Sequence, residues 1–279
     1  MNKNTLVKKS NDLVTARFDL SLTEQKLILC LISMVNREDK DFKDYRFYIK
    51  EFFELTDNSE ENYTFVKNSF RSLLSKTLEI KTNDGWLLCN WISSAKSNKR
   101  GGYVDTHFDP DLKPYLLKLK ECFTTYQLKN ILFLHSVYSV RVYELLKQFE
   151  KTGTKTTSIE ELRNILKVPL GSKVGNINQR ILKTAQKELK ELTDIQFTYE
   201  FKRRGNKFTD IKFTIKRNSK MPKLLKKSEI DTIDKVPTLQ EVAKSCFEKG
   251  KCRETPIMMT YCKTCKNYEE KKKWIKENE

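Results

Sequence analysis

The sequence is poor in glycine and histidine, and both shortages limit the chemistry it can support. Only 8 glycines and 2 histidines occur among 279 residues. No glycines stand in the GxxxxGK pattern of a phosphate-binding loop, which argues against an ATPase. His107 and His135 lie in a predicted strand and at a predicted helix start, too far apart to suggest a histidine-metal nickase.

The groupings that a strand-transferring enzyme needs are also missing. The chain has 11 tyrosines, but a tyrosine nucleophile requires a metal or an arginine cluster beside it, and the sequence suggests neither. In the segment FLHSVYS, His135 is better placed to orient or cap the following helix than to transfer a proton. We therefore expect a protein that is not an enzyme.

Long apolar runs are absent as well. No stretch of about 18 apolar residues occurs, and the start MNKNTLVKKSNDLV has no apolar core of the signal-peptide type. We expect a cytoplasmic protein without membrane contacts, whose seven cysteines are reduced. Cys30, Cys89 and Cys122 stand among apolar residues and are predicted to be buried.

Acidic residues are outnumbered by basic ones. The chain has 54 lysines and arginines against 37 aspartates and glutamates, a formal net charge of +17. Such an excess indicates a polyanionic partner, and nucleic acid is the leading candidate. An AT-rich genome, which raises the lysine content of all its proteins, would account for part of the excess.

The strongest functional pattern runs from Lys173 to Ile215. Its first half places apolar residues at helical spacing, with polar and basic residues on the opposite face. After Thr193 the period changes to two, which indicates a hairpin with a basic tip. A polar-faced helix followed at once by such a hairpin is typical of a winged helix, whose helix enters the major groove while the hairpin contacts a neighbouring backbone.

This pattern supplies the candidate DNA-binding residues of the second half. Arginine and asparagine can pair with base edges through two hydrogen bonds, so the predicted base-reading residues are Asn176, Gln179, Arg180 and Lys183. Lysines neutralise phosphates, and those expected at the backbone are Lys187 and Lys190. The hairpin tip adds Lys202, Arg203, Arg204 and Lys207. The alternative interpretation is a solvated helix face, which is common for lysine.

The order helix, short helix, turn, helix, hairpin occurs twice. Residues 1–18 precede it and indicate a partly ordered arm. Capping boxes are predicted at Ser21 with Glu24 and at Ser158 with Glu161. The polar segments SSAKSNKRGG and KTGTKTT are predicted to be a connector and a loop.

The first half carries a weaker set of basic residues. A helix over about residues 60–76 presents Lys67, Asn68 and Arg71, and a first wing is predicted with Lys96, Lys99 and Arg100 at its tip. These residues indicate DNA contacts, or else a domain that serves for dimerisation.

We therefore predict an α+β fold with two tandem winged-helix domains and a small cysteine-containing C-terminal module. The first domain spans residues 8–124 and is assigned to dimerisation and backbone contact. The second spans 125–217 and is the main DNA reader. Residues 218–236 form a charged linker, and residues 237–279 form the C-terminal module.

Four cysteines crowd into that module, at Cys246, Cys252, Cys262 and Cys265. The CxxC pair in YCKTCK is typical of half a tetrahedral zinc site, and the other two thiols could complete it. Metal binding would let so short a module fold. The alternative is free thiols in a reducing compartment. A structural zinc is thus a possible cofactor, whereas DNA binding requires none.

Three segments together resemble a known family. FLHSVYSVRVYELLKQFE, SIEELRNILKV and NQRILKTAQKELKELTDIQFTYEF are similar to the initiator Rep proteins of theta-replicating plasmids, which have two winged-helix domains. NDLVTARFDLSLTEQKLILCLIS resembles the start of that family's first domain. The likeness covers about residues 8–217 and is most specific at His135, Ser136, Arg141, Tyr143 and Glu144.

The resemblance implies a function more specific than DNA binding. Such proteins bind directly repeated double-stranded sites, the iterons, at a plasmid origin, and host replication proteins such as a helicase or initiator are then recruited. They also repress their own promoter as dimers, with the first domain as the interface. Membership thus implies a bacterial, plasmid-associated homodimer. A winged-helix transcription regulator without an initiation role is the alternative, and a nicking or priming enzyme is a third possibility.

Overall fold

The N-terminal residues form the first strands of the fold. The computed structural model describes residues 2–36, 38–56, 63–98, 102–169 and 171–218. It begins with β1 (Leu6–Ser10), α1 (Asn11–Thr15) and β2 (Arg17–Phe18). Val7, Leu13 and Phe18 are buried. The prediction of a partly ordered arm is therefore wrong for residues 6–18, where the strands are too short to produce a recognisable period.

The first winged helix follows directly. Its elements are α2 (Leu22–Ile32), β3 (Tyr45–Tyr48), α3 (Ile49–Leu55), α4 (Tyr63–Ser75), β4 (Thr77–Thr82), β5 (Gly85–Asn90), β6 (Ile92–Asn98) and β7 (Tyr103–Phe108). The capping box that starts α2 is confirmed. Ser21 Oγ accepts a hydrogen bond from the Glu24 N–H, and the Glu24 carboxylate accepts one from the Ser21 N–H at 2.6 Å.

Two three-stranded sheets complete this half, in the orders β2-β4-β5 and β3-β7-β6. The segment predicted as the connector SSAKSNKRGG contributes most of β6, which pairs antiparallel with β7. Lys96 consequently lies within the strand, opposite Asp105, and not at the tip. The prediction failed because β6 is an edge strand whose mostly exposed residues show no apolar alternation.

A connecting region links the two halves. It contains a 3-10 turn (Pro110–Leu112), α5 (Lys113–Leu116), β8 (Phe123–Gln127), α6 (Lys129–Leu132) and α7 (Val137–Lys147). β8 pairs antiparallel with β1, which places Thr125 opposite Lys8. Residues 139–146 of α7 are all buried, so this helix lies inside the molecule with elements of both halves around it.

The second winged helix ends the described part of the chain. It consists of β9 (Thr154–Ser158), α8 (Ile159–Leu166), a long helix over residues 174–192, β10 (Ile195–Arg204) and β11 (Lys207–Arg217). The sheet order is β10-β11-β9. The predicted loop KTGTKTT therefore contains most of a strand, which pairs antiparallel with β11.

Three local predictions need correction. Ser158 caps α8, but the Glu161 carboxylate accepts from the Thr157 hydroxyl at 2.6 Å, so only half of the second capping box forms in the expected way. Cys30 and Cys89 are buried, whereas Cys122 is exposed in a left-handed turn with φ of +49°. The side chain that caps α7 belongs to Ser136 and not to His135.

The cysteines of the predicted metal site, Cys246, Cys252, Cys262 and Cys265, lie outside the described residues, as do the predicted linker beyond residue 218 and the whole C-terminal module. Among the helices that the structure describes, none is both long and apolar enough to cross a bilayer.

Candidate nucleic-acid interface

The helix predicted to read DNA is not a uniform α-helix. We call residues 174–192 the reader helix. It begins with α9 (Val174–Asn176), continues as a π-helical segment (Ile177–Leu182) and ends as α10 (Lys183–Leu192). The Lys183 N–H donates to the Asn178 carbonyl, five residues back, where an α-helix would use the fourth.

The reader helix separates its residues as the sequence predicts. Ile177, Ile181, Leu182, Ala185 and Leu189 are buried against the core. The predicted DNA-binding residues are all exposed, and these are Asn176, Gln179, Arg180, Lys183, Lys187 and Lys190. The helix therefore presents two amides and four positive charges to solvent along its length.

The wing extends this basic surface. Arg204 and Lys207 face each other across a two-residue turn, Gly205-Asn206. Gly205 has φ of +61°, as the first central residue of a type II′ hairpin turn requires. Lys202, Arg203, Arg204 and Lys207 are all exposed. The Arg203 guanidinium lies 4.1 Å from the centre of the Phe208 ring, which supports it at the tip.

Hydrogen bonds at three positions along the reader helix join it to the wing. At the corner, the Thr193 hydroxyl lies 2.8 Å from the Leu189 carbonyl and 2.9 Å from that of Ile195. Gln186 donates from Nε2 to the Phe197 carbonyl at 2.9 Å. Nearer the start of the helix, the Tyr199 hydroxyl donates to Asn178 Oδ1 at 2.6 Å. The angle between helix and wing is therefore fixed along most of their shared length.

The corresponding unit in the first half is smaller. Lys67, Asn68 and Arg71 are exposed on α4, and Lys96 is exposed on β6. A cavity of about 240 Å³ lies between them, with Phe70, Leu74, Ala95 and Val104 among its lining residues. Lys99 and Arg100, predicted at the tip of this wing, lie outside the described residues. The structure thus brings α4 and β6 together around an apolar cleft with basic residues at its rim.

Sequence reasoning missed the polar groups that lie between the two halves. Lys9 Nζ is 2.6 Å from Glu144 Oε1, and both side chains are at most 2% exposed. The Tyr126 hydroxyl also donates to Glu144. Burial lowers the pKa of Lys9, although the charge of Glu144 opposes the shift. A lysine in a polar N-terminal segment carries no sequence signal of burial, so this pair could not have been found from the sequence.

Arg141 connects the halves through the backbone. Its Nη2 donates to the Ala16 carbonyl at 2.6 Å and to the Ile165 carbonyl at 2.9 Å. The guanidinium also lies 3.9 Å from the centre of the Phe18 ring. Burial lowers the pKa of Arg141 to about 10. Because the side chain is 4% exposed, it supports the packing and does not face a DNA partner.

Glu188 connects the reader helix to the start of α7. Its carboxylate accepts hydrogen bonds from the backbone N–H groups of His135 and Ser136, at 3.0 and 3.4 Å. These N–H groups have no acceptor within α7, and a negative charge at the start of a helix also interacts favourably with the helix dipole. The reader helix is thus anchored to α7 from a position between the two phosphate-contact candidates Lys187 and Lys190.

Among the described residues, no group of three or more histidine, cysteine, aspartate or glutamate side chains has the arrangement of a metal site. The surface that combines several exposed basic side chains with a rigid scaffold is the reader helix and its wing.

Comparison with known proteins supports this architecture. Residues 6–147 match the family model described as initiator replication protein, WH1, and residues 158–215 match initiator Rep protein, WH2. A replication initiation protein of Escherichia coli is 27% identical over 250 residues, which cover 84% of this chain and 77% of the relative. An uncharacterised 27.6 kDa protein of the same organism is 26% identical over 218 residues, covering 71% and 90%.

A solved structure shares the fold. The Pi initiator protein, crystallised in complex with iteron DNA, superimposes with a TM-score of 0.65 at 18% identity, over 77% of this chain and 98% of the other. The WH1 model alone matches half of the sequence, and the WH2 model covers the reader helix and its wing. The chain belongs to the initiator replication protein family, with its WH1 and WH2 winged-helix domains.

Proposed function

We propose that this protein is a plasmid replication initiator that binds directly repeated double-stranded sites at an origin. The observation that carries the proposal is the reader helix with its wing, which presents ten predicted contact residues, all exposed, on a scaffold of the initiator family. Family membership and the likeness to a protein crystallised with iteron DNA support the same assignment.

The two domains divide the contacts. Asn176, Gln179, Arg180 and Lys183 read bases in the major groove, while Lys187, Lys190 and the wing tip contact phosphates. Lys67, Asn68 and Arg71 contribute further backbone contacts from α4, together with Lys96 on β6. A single protomer would then span consecutive grooves of one repeat. The role is one of binding without catalysis, and it requires no cofactor.

Further roles belong to the same proposal. The protein forms homodimers through its first domain, represses its own promoter in that form, and recruits host replication proteins to the origin in the cytoplasm. The likeness to initiator proteins supports these roles. A transcription regulator without an initiation role is the second candidate, because a winged helix that binds repeats would serve either purpose.

The direct test is binding followed by replication. A footprint of the purified protein on DNA flanking its own gene should protect a series of direct repeats, with affinity that falls steeply as salt rises. A plasmid carrying those repeats should then replicate only when the protein is supplied. Protection without replication would favour the transcription regulator, and cleavage of the DNA by the purified protein would restore the enzyme hypothesis.

The proposed zinc site requires a separate measurement. Cys246, Cys252, Cys262 and Cys265 would supply four thiolates to one ion. Metal analysis of the full chain should find about one zinc per protein, and the chain truncated after Lys220 should contain none. Equal zinc content in both proteins would contradict the assignment.

A further inference from the structure

The π-helical segment lies where the strongest base-reading candidates are. Ile177–Leu182 includes Gln179 and Arg180, and Asn176 and Lys183 flank it directly. A π-helical turn accommodates one residue more than an α-helical turn, so the residues beyond it are rotated by about 100° relative to an uninterrupted α-helix. The π-helical turn therefore sets the angle between the side chains before it, such as Asn176, and those after it, such as Lys183.

The π-helical register has a visible effect on burial. Ile177 and Leu182 are five residues apart, which in an α-helix would separate their directions by roughly 140°. Both are nevertheless buried, at 2% and 0% exposure. At the same time the Lys183 N–H is hydrogen-bonded to the carbonyl of residue 178. The irregular turn thus keeps the apolar residues inward while the basic residues on either side stay exposed.

The hydrogen bond between Asn178 and Tyr199 secures this turn from outside the helix. Asn178 provides the carbonyl that accepts the five-residue backbone bond, and its side-chain Oδ1 accepts from the Tyr199 hydroxyl at 2.6 Å. Both atoms that hold the register in place therefore belong to one residue. Asn178 is half-buried, so its side chain is directed to the wing strand and is not among the exposed readers.

Tyr199 is itself held firmly. Its ring lies 5.9 Å from that of Phe197, 5.8 Å from that of Phe201 and 6.3 Å from that of Phe213. Neighbours on both wing strands therefore restrict the ring, and the hydroxyl has a defined position. The contact therefore fixes the wing against the first half of the reader helix, far from the corner at Thr193.

We propose that Asn178 and Tyr199 form a positioning pair that determines sequence specificity by orienting Gln179 and Arg180 toward the bases. The inference rests on the proposed function, because it assumes that the reader helix contacts DNA. Neither residue of the pair needs to touch a base. The pair sets the direction of its neighbours, and a bidentate contact tolerates little misalignment.

The test compares affinities of the full chain for its footprinted repeat and for a scrambled duplex of equal length. Tyr199→Phe removes only the hydroxyl, and Asn178→Leu removes the acceptor. Each should lower the ratio of specific to non-specific affinity by about 5- to 10-fold, while the affinity for the scrambled duplex stays as in the wild type. The double variant should lose no more than either single variant, because both changes break the same bond.

Two further variants separate positioning from general damage. Asn178→Asp retains an acceptor for the tyrosine hydroxyl and should keep most of the wild-type ratio. We call α4 with its wing, and the reader helix with its wing, the two helix-and-wing units. Tyr115→Phe removes a hydroxyl from a half-buried tyrosine of α5, outside both units, and should leave the ratio unchanged. Circular dichroism melting of every variant reports whether the fold is intact.

The outcomes distinguish the inference from the proposed function. Wild-type specificity in both Tyr199→Phe and Asn178→Leu would overturn the positioning role and leave the proposed function standing. An equal loss of specific and non-specific affinity would also overturn the positioning role, because it would indicate lost phosphate contacts or unfolding. A wild-type protein that binds repeats and scrambled DNA equally would overturn both.

Discussion

Glu144 is a buried carboxylate on α7 with three polar partners. It is 2.6 Å from Lys9 Nζ, accepts from the Tyr126 hydroxyl and lies 3.9 Å from Arg141 Nη1. Two cations therefore face one carboxylate away from water. Removing one partner of a buried ion pair leaves an uncompensated charge, which is far more costly than the loss of an exposed pair.

Glu144→Leu should accordingly lower the free energy of unfolding by about 3–5 kcal/mol. Lys9→Met should cost less, because Glu144 keeps the Tyr126 hydroxyl and Arg141. Urea unfolding measures both. Lys43→Met removes an exposed partner of Asp39 and serves as the control, with an expected change below about 1 kcal/mol. Equal effects of Glu144→Leu and Lys43→Met would contradict the role of burial.

Arg180 illustrates the other kind of residue, one whose importance is visible only with a partner present. It is exposed on the π-helical segment. We propose that it contributes to specificity through a bidentate contact with a base. Arg180→Ala should weaken binding to the cognate repeat by about 1–3 kcal/mol and relax selection at one base position.

Competition binding with singly substituted repeats measures this effect. Arg17→Ala, an exposed arginine on β2 outside both helix-and-wing units, is the matched control and should bind as the wild type does. If Arg180→Ala selects bases as the wild type does across a salt series, its assignment as a base reader is wrong.

At the scale of elements, the wing is a long hairpin with exposed basic residues at its tip. β10 and β11 pair over most of their length, a bulge separates Lys202 from Arg203, and the tip turns at Gly205. A bulge increases local twist and re-aims the residues beyond it. The basic tip thus lies at the far end of strands whose other end is anchored by the buried rings of Phe197 and Phe213. Its charges are exposed and can contact a phosphate backbone.

Replacing both Arg203 and Arg204 by alanine should weaken binding to all DNA sequences alike. If each contacts one phosphate, the slope of log K against log salt should become shallower by about 1.8. Fluorescence anisotropy over a salt series gives this slope. Lys118→Ala with Lys120→Ala removes two charges outside both helix-and-wing units and should leave it unchanged. A double wing variant with the wild-type slope would exclude the wing from the backbone contact.

At the scale of the whole described unit, α7 joins the two winged helices. Arg141 donates to carbonyls at Ala16 and Ile165, one in each half. On the same helix, Tyr143 donates to Asp194 at the base of the wing, at 3.0 Å. Glu188 anchors the reader helix to the start of α7. The two Arg141 bonds are buried and connect both halves to α7, so the halves should lose structure together.

Arg141→Met tests this coupling. The change leaves two buried carbonyls without their donor and should lower the free energy of unfolding by roughly 3 kcal/mol. Hydrogen exchange at rising denaturant should show α2 and α10 opening in one transition, shifted equally in the variant. Arg46→Met removes an exposed partner of Asp105 and is the control. Separate transitions for α2 and α10 would show that the two halves fold independently.

The sequence alone determined the features that depend on spacing along one segment. The reader helix, its wing and the capping box of α2 could be predicted because the apolar period and the cap are local properties of neighbouring residues. Exposure of the six contact residues on the reader helix follows from the same period, and exposure of the four at the tip follows from the hairpin turn. The family resemblance was likewise carried by contiguous segments, and its membership is confirmed.

Only the tertiary structure decided what depends on distant partners. β6 and β9 are strands because β7 and β11 provide hydrogen bonds to them, and their own polar sequences give no apolar alternation. Lys9 is buried because Glu144, more than a hundred residues away, neutralises it. The π-helical turn, with the bond from Tyr199 to Asn178 beside it, is visible only in the structure, since helical periodicity cannot distinguish a five-residue hydrogen bond from a four-residue one.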